Sequence, residues 1–149
     1  MIRPAIIDDI PTIAQLGEKF HAQAGWSDVF SYSIDDCAAS LTQYMNLDNF
    51  ICLVADEGQI VGMVAGVTAP VYFNHSHKSG EELFWWVDPD HASRGLGLKL
   101  LDALEEAGKA QGCLSWQMKS IAMLNGDRMG KLYQRRGYRA SEHSFIKRF

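Results

Sequence analysis

The sequence is poor in the features that mark membrane, secreted and repetitive proteins. No apolar run approaches the roughly 20 residues that a membrane-spanning helix needs, and the first residues lack the pattern of a secretory signal. The three cysteines show no paired spacing, which predicts free thiols in the cytoplasm. Because repeats and low-complexity tracts are also missing, we expect residues 1–149 to form one domain.

Basic charge and metal-ligand clusters are scarce as well. The formal net charge of −4 argues against nucleic acid or an anionic membrane surface as the main partner. His75 and His77 are close in sequence, but no second cluster of His or Cys follows, so we predict no metal site. The hydrophobic fraction of 47% is ordinary for a globular protein with a core.

The periodicity of the apolar residues predicts an alternating order of strands and helices. Strands are expected at Ile2–Ile6, Phe50–Ala55, Ile60–Val67, Glu82–Val87, Leu114–Met118 and within Tyr138–Phe149. Helices are expected from an Asp8 cap to Ala24, from Ser33, from Gly97 to Gln111, and up to Arg136. We expect the polar segment Asn74–Gly80 to be a loop. This order predicts an α/β domain with a mixed central sheet flanked by helices.

The segment Arg94–Lys99 joins a buried strand to an amphipathic helix through a glycine-rich turn. A helix N-terminus offers unpaired N–H groups and about half a positive charge, which together favour phosphate. Gly95 and Gly97 leave room for a close approach, and Arg94 and Lys99 add cations. The P-loop and dinucleotide-binding patterns do not fit, and a simple strand-to-helix turn remains an alternative.

Three motifs together resemble the GNAT superfamily of acetyltransferases. They are Val-x-Pro at 87–89, Arg-Gly-x-Gly at 94–97 and Leu-Tyr-x-x-x-Gly-Tyr at 132–138, and the resemblance in order and spacing extends along the whole chain. It implies a GNAT-like sheet and an N-acetyltransferase that moves an acetyl group from acetyl-CoA to a primary amine by direct attack, without a metal. The alternative is a non-catalytic acyl-CoA-binding or regulatory domain on the same fold. Two positions depart from the family pattern. The family has a small residue at the position of Lys99. It also has an Asn at the position of Gly126, whereas the Asn of this chain is one residue earlier, at Asn125.

The resemblance also implies roles for individual residues. Tyr133 matches a general acid that protonates the departing thiolate, although a core tyrosine is the structural alternative. Glu81 or Glu82 matches the general base; strand alternation puts them on opposite faces, and a solvated strand end is the alternative for either. Backbone groups of Trp86 and Val87 would pair with the pantetheine arm. The pyrophosphate would lie on Arg94, Gly95, Leu96, Gly97, Leu98 and Lys99.

The acceptor is expected to be a small-molecule or peptide amine, since the loops that select it vary. Polyamine, aminoglycoside, amino acid, peptide N-terminus and protein lysine all remain open. Many members of the family dimerise, so a homodimer is compatible with the resemblance.

Overall fold

The chain folds into a five-stranded mixed sheet with helices on both faces, which confirms the predicted fold class. The computed structural model describes residues 1–124 and 126–149, apart from the side chains of residues 93 and 94. The strands are β1 (Ile2–Pro4), β2 (Phe50–Asp56), β3 (Ile60–Val71), β4 (Asn74–Val87) and β5 (Ser115–Gln117). They lie side by side in chain order, and every neighbouring pair is antiparallel except β4 and β5, which are parallel.

The described residues form four α-helices, which cover the sheet. They are α1 (Ile10–Gln23), α2 (Ile34–Tyr44), α3 (Leu96–Ala110) and α4 (Gly126–Arg135). The Ser33 hydroxyl caps α2 by accepting the Asp36 N–H at 3.2 Å, as its position predicts. Within the described part of the chain, none of the helices has the length and apolar character needed to cross a bilayer.

The start of α1 differs from the prediction that Asp8 caps it. Asp9, which is buried, immediately precedes the helix, and its carboxylate accepts the Ile6 N–H at 2.8 Å. Arg3 of β1 donates to both oxygens of the same carboxylate, at 2.7 and 3.0 Å. The aspartate therefore ties the first strand to the first helix, because its charge is better satisfied by a guanidinium than by a helix N-terminus alone.

The sheet separates two apolar layers. Helices α1 and α2 cover one face, where Ile13, Phe20 and Met63 pack with Trp86. Helix α3 covers the other face, where Leu100 and Leu104 pack on the central strands. The continuous apolar runs of β2 and β3 follow from this arrangement, because strands covered on both faces need apolar side chains in both directions.

The prediction of a loop at Asn74–Gly80 is wrong, because these residues are the first half of β4. They pair with the end of β3, and only Tyr72 and Phe73 connect the two strands. The hairpin extends past the last pair between β2 and β3, which joins Phe50 to Val67. Its side chains beyond that point are largely solvent-exposed, so a polar composition is compatible with backbone pairing.

The prediction of a closing strand within Tyr138–Phe149 is also wrong. The described structure has neither strand nor helix over residues 138–149, and Phe145 and Phe149 are fully exposed. Near its end the segment contacts the opposite side of the domain, where Arg148 Nη1 donates to the Asp28 carbonyl at 3.0 Å. An added strand needs a row of backbone partners, and the edge strand β5 is only three residues long.

One tryptophan fixes the short strand β5 against the rest of the domain. Trp116 packs on Gly66 of β3, Gly80 of β4 and Gly108 of α3, and a Cβ atom at these glycines would lie 2.5, 2.1 and 2.5 Å from its ring. All three distances are shorter than carbon atoms tolerate. The three glycines therefore form a cradle for Trp116, and the indole compensates for the small number of backbone hydrogen bonds that β5 makes.

Candidate active site

The sheet opens between β4 and β5. The parallel pairing stops where Glu81 lies opposite Gln117, whereas β4 continues to Val87. A bulge at Leu83, opposite the step from Ala65 to Gly66, bends β4 at the same point. Beyond it, no described strand lies along the outer edge of β4, so the backbone groups on that edge are free to pair with an extended ligand.

Glu82 lies at the point where the two strands diverge. Its side chain is buried, with 5% of the residue exposed, and its Oε2 accepts the backbone N–H of Lys119 at 2.9 Å. Burial raises the pKa of Glu82 to about 7, and the hydrogen bond from Lys119 offsets only part of that rise. A carboxyl group with this pKa can take up and release a proton near neutral pH.

Tyr133 reaches the backbone of the same residue, Lys119, from α4. Its hydroxyl donates to the Lys119 carbonyl at 2.8 Å, and its ring lies 6.2 Å from that of Trp85 and 5.5 Å from that of Tyr138. Burial raises the pKa of Tyr133 above its ordinary value, and the nearby charge of Glu82 adds to the rise. The phenol therefore keeps its proton at physiological pH. The backbone of one residue, Lys119, thus connects Glu82, through its N–H, with Tyr133, through its carbonyl.

Glu81 is not part of this arrangement. Its carboxylate is 47% exposed and lies 3.5 Å from the Lys119 ammonium, in an exposed ion pair. The structure therefore confirms that the two neighbouring glutamates have different surroundings, and it brings Glu82, not Glu81, close to Tyr133. The solvated strand end that we considered for both describes Glu81 alone.

Trp85 and Trp86 point to opposite faces, as alternation along β4 predicts. Trp86 is buried beneath α1, and its indole N–H donates to Gln23 Oε1 at 3.0 Å. Trp85 lies on the α3 face between Gly97 and the ring of Tyr133. The side chain of Trp86 is thus a core element, while Trp85 connects the glycine-rich loop with the residues around Lys119.

The glycine-rich loop has the backbone geometry of an anion-binding helix start. Gly95 has a φ of 67° and precedes α3, and the first intrahelical bond runs from the Lys99 N–H to the Gly95 carbonyl at 3.2 Å. The N–H groups of Leu96, Gly97 and Leu98 come before that bond, so the helix does not use them. Helix α3 is 15 residues long, which gives its N-terminus a substantial dipole.

The side chains of this loop have different surroundings. Leu96 is buried in the core, whereas Leu98 and Lys99 are exposed, so Leu96 can contribute to a phosphate site only through its backbone. A Cβ atom on Gly97 would lie 3.5 Å from Trp85, in ordinary contact. Packing of α3 on β4 therefore leaves room for a Cβ atom at this position, so it does not by itself require a glycine. The Arg94 side chain and Asn125 lie outside the described residues.

Two elements of the site carried no signal in the sequence. Lys119 acts through its backbone, and backbone groups leave no residue-type signature. Arg136, which follows α4, pairs with Asp102 and Glu105 of α3, and the Tyr138 hydroxyl donates to Glu105 at 2.8 Å. These contacts hold α4, and with it Tyr133, against α3.

Comparison with known families identifies the class of protein that this fold and site define. The model of the Acetyltransferase (GNAT) family matches residues 17–138, which is most of the chain. The chain therefore belongs to the GNAT family of acetyltransferases. No curated protein sequence matches it significantly.

Solved structures share the fold over the whole chain at low sequence identity. An aminoglycoside acetyltransferase from an uncultured soil metagenomic sample has a TM-score of 0.75 at 18% identity, covering 100% of this chain and 97% of its own. A transcriptional regulator from Bacillus halodurans C-125 reaches 0.80 at 17% identity, covering 100% and 99%. A predicted acetyltransferase from Clostridium acetobutylicum, solved with acetyl-CoA, reaches 0.76 at 13% identity, covering 99% and 94%. At these identities the likeness shows the fold alone.

Proposed function

We propose that this protein is an N-acetyltransferase that moves an acetyl group from acetyl-CoA to a primary amine by direct attack. Glu82 is the general base and Tyr133 the general acid in this proposal. The observation that carries it is the backbone of Lys119, whose N–H donates to Glu82 and whose carbonyl accepts from Tyr133. Two groups with opposite proton-transfer tasks are thereby held on either side of one backbone position, at the opening of the sheet.

The geometry of the chain fits acetyl-CoA as the acetyl donor. The pyrophosphate would bind the free N–H groups at the start of α3, with Lys99 as an exposed cation beside them. The pantetheine arm would pair with the open edge of β4 along Trp86 and Val87. An arm in that position runs past Trp85 toward Tyr133, which brings the thioester to the two proposed catalytic residues.

In the proposed reaction, Glu82 accepts a proton from the acceptor ammonium, because only the neutral amine has a lone pair to attack. The amine nitrogen then bonds to the thioester carbonyl carbon, and the tetrahedral intermediate collapses by breaking the C–S bond, with the electron pair going to sulfur. Tyr133 turns its hydroxyl from the Lys119 carbonyl and protonates the thiolate. The acceptor nitrogen loses two protons in the whole reaction. The first is taken by Glu82, which releases it to solvent. The second is released to solvent directly, and Tyr133 recovers from solvent the proton that it gave to the thiolate.

Direct attack needs no acylated residue, and the cysteines support that route. Burial raises the pKa of the Cys52 thiol to about 12, which disfavours a nucleophilic thiolate. All three cysteines are free thiols, which supports a reducing compartment such as the cytoplasm.

The experiment that tests the proposal measures free-thiol release from acetyl-CoA across a panel of primary amines. We expect Tyr133→Phe to lower turnover by about 10²- to 10⁴-fold while acetyl-CoA affinity stays near that of the parent. Glu82→Gln should lower turnover near pH 7, and the loss should shrink at higher pH because more of the amine is already neutral. Glu81→Gln is the matched control, since its carboxylate is half-exposed on the other face.

Each outcome separates the proposed roles from a structural one. If Tyr133→Phe lowers the melting temperature but leaves turnover nearly intact, the tyrosine is a core residue. If Glu82→Gln keeps the parent's pH profile, the base is elsewhere. A protein that binds acetyl-CoA but releases no thiol with any amine is a non-catalytic acyl-CoA-binding domain.

A further inference from the structure

Tyr138 follows the turn that ends α4 and packs on the proposed general acid. Gly137 has a φ of 89°, a left-handed conformation that glycine adopts without a steric penalty, and it reverses the chain. The Tyr138 N–H then donates to the Tyr133 carbonyl at 3.0 Å. The two rings lie 5.5 Å apart at an interplanar angle of 54°, so the backbone turn and the ring contact join the same two residues.

The other end of the Tyr138 side chain is anchored on α3. Its hydroxyl donates to Oε1 of Glu105 at 2.8 Å, while Oε2 of the same carboxylate lies 3.5 Å from Nη2 of Arg136. The tyrosine and the arginine therefore use different oxygens of one carboxylate. A hydrogen bond to an ionised acceptor is stronger than one between neutral groups, so Tyr138 is fixed both at its backbone and at its hydroxyl.

Tyr138 also encloses the ring of Tyr133. A cavity of about 480 Å³ lies between α3, β5 and the segment after α4, and Tyr138 lines this cavity whereas Tyr133 does not. Of the residues described in α4, Tyr133 alone is buried, with 7% exposed. A smaller side chain at position 138 would extend the cavity toward the Tyr133 ring and give that ring room to move.

The proposed reaction needs such a support. Tyr133 turns its hydroxyl from the Lys119 carbonyl when it protonates the thiolate, so the hydrogen bond that holds the free enzyme's phenol is then broken. Contacts of the ring must keep the phenol in place at that moment, and Trp85, at 6.2 Å, and Tyr138, at 5.5 Å, supply them. Trp85 also lies beside Gly97, at the proposed phosphate site, so Tyr138 is the contact that can be changed without disturbing that site.

We propose that Tyr138 is a positioning residue for acetyl transfer, which is anchored on Glu105 and holds the Tyr133 ring where its hydroxyl can meet the thiolate sulfur. This inference rests on the proposed general acid and adds to it a residue that touches neither acetyl-CoA nor the acceptor. Positioning affects the rate strongly, because a displacement of about 1 Å in a catalytic group can lower turnover about 10²-fold.

The test measures kcat and KM with acetyl-CoA and whichever of spermidine, kanamycin and a peptide with a free N-terminus gives the highest turnover. Tyr138→Leu should lower kcat about 10- to 100-fold and leave both KM values within about twofold, because contacts to the substrates are unchanged. Tyr138→Phe keeps the ring and loses only the bond to Glu105, so kcat should fall by a smaller factor, about 3- to 10-fold. The matched control is Tyr44→Leu, which removes a ring 5.5 Å from that of Phe50 at the end of α2 and should leave kcat unchanged.

A double variant separates positioning from a structural role. If Tyr138 acts through the Tyr133 hydroxyl, adding Tyr138→Leu to Tyr133→Phe should lower kcat by less than about threefold, because the group that it positions is already gone. A general loosening of the fold would instead lower kcat by the same factor with and without that hydroxyl. The melting temperature of each variant, measured alongside, identifies any that does not fold.

The outcomes keep this inference apart from the proposed function. If Tyr133→Phe impairs turnover but Tyr138→Leu keeps the parent's kcat, raises KM instead, or causes the same loss in both backgrounds, Tyr138 does not position the acid. If Tyr138→Leu does not fold, Tyr138→Phe takes its place in the double variant, and a loss of the same size in both backgrounds overturns the inference. If Tyr133→Phe keeps the parent's turnover, or no amine is acetylated, the proposed function fails and the inference fails with it.

Discussion

Replacing Glu82 with Gln should stabilise the protein increasingly as the pH rises from about 4.5 to 8. Gln has nearly the same shape and can still accept the Lys119 N–H, but it carries no charge at any pH. The parent must instead hold a carboxyl group with 5% exposure, which favours its protonated form. The substitution therefore isolates the cost of ionising a buried group from the cost of changing its contacts.

The magnitude follows from the pKa. Burial raises the pKa of Glu82 from an ordinary value of 4.5 to about 7, and one pKa unit corresponds to about 1.4 kcal/mol. Below pH 4.5 the group is protonated in both the folded and the unfolded protein. Between 4.5 and 7 the folded state binds the proton more tightly, so the parent loses stability as pH rises. At pH 8 this linkage should make the free energy of unfolding of the parent about 3 kcal/mol lower, relative to that of the variant, than it is below pH 4.5.

The assay is urea denaturation of the parent and of Glu82→Gln at intervals between pH 4.5 and pH 8. A difference in the free energy of unfolding that is the same at every pH indicates changed contacts. A difference that grows with pH indicates the ionisation of Glu82. The control is Glu81→Gln, which removes the neighbouring carboxylate from a half-exposed ion pair and leaves the buried position intact. If the difference for Glu82→Gln is flat between pH 5 and 8, the assignment of Glu82 as a base with a raised pKa is refuted.

Two further predictions concern stability. Gly80→Ala should lower the free energy of unfolding by about 1–3 kcal/mol through overpacking, because its Cβ would lie 2.1 Å from the Trp116 ring. In the same denaturation experiment, Gly130→Ala in α4 should be neutral or stabilising, because its Cβ meets open space. Equal stabilities for the two variants would contradict the cradle. Asp9→Asn should lower the urea midpoint at pH 7, because the bonds from Arg3 lower the pKa of Asp9. That contribution is present above the ordinary value of 3.8 and is lost as pH falls through the folded pKa, so a midpoint difference that does not shrink as the pH falls below 3.8 would show that the carboxylate charge does not cause it.

The elements that the sequence predicts best are those whose pattern is local. Continuous apolar runs give β2 and the buried part of β3, and a glycine-rich turn before a leucine-rich helix gives the start of α3. The first half of β4, Asn74–Gly80, has no strand pattern in the sequence, because an exposed hairpin needs a partner strand but no apolar side chains. The strand expected after Tyr138 does not form, since a few apolar residues do not supply a partner strand.

The candidate site was predictable in its residue types but not in its connections. Glu82 and Tyr133 are 51 positions apart in the sequence and meet through the backbone of Lys119, which no side-chain pattern reveals. The choice between Glu81 and Glu82 likewise needed burial, because alternation separates the two faces without saying which one meets α4. In the glycine-rich loop the sequence indicated the start of α3, but it did not reveal that Gly97 lies beside Trp85 of β4.

The cradle of Trp116 couples positions that are far apart in the sequence, so that substitutions there depend on one another. While the indole is present, any side chain at Gly66, Gly80 or Gly108 intrudes on it, so each of these positions is closed to substitution. Once a smaller residue replaces Trp116, Gly80 and Gly108 face a void, and larger side chains there become repairs. Gly66 stays closed, because its Cβ would still lie 2.7 Å from the Glu81 carbonyl. Substitutions that are harmful singly can thus be neutral in combination. Homologous chains that lack this tryptophan should carry bulkier residues at the position of Gly80, of Gly108 or of both.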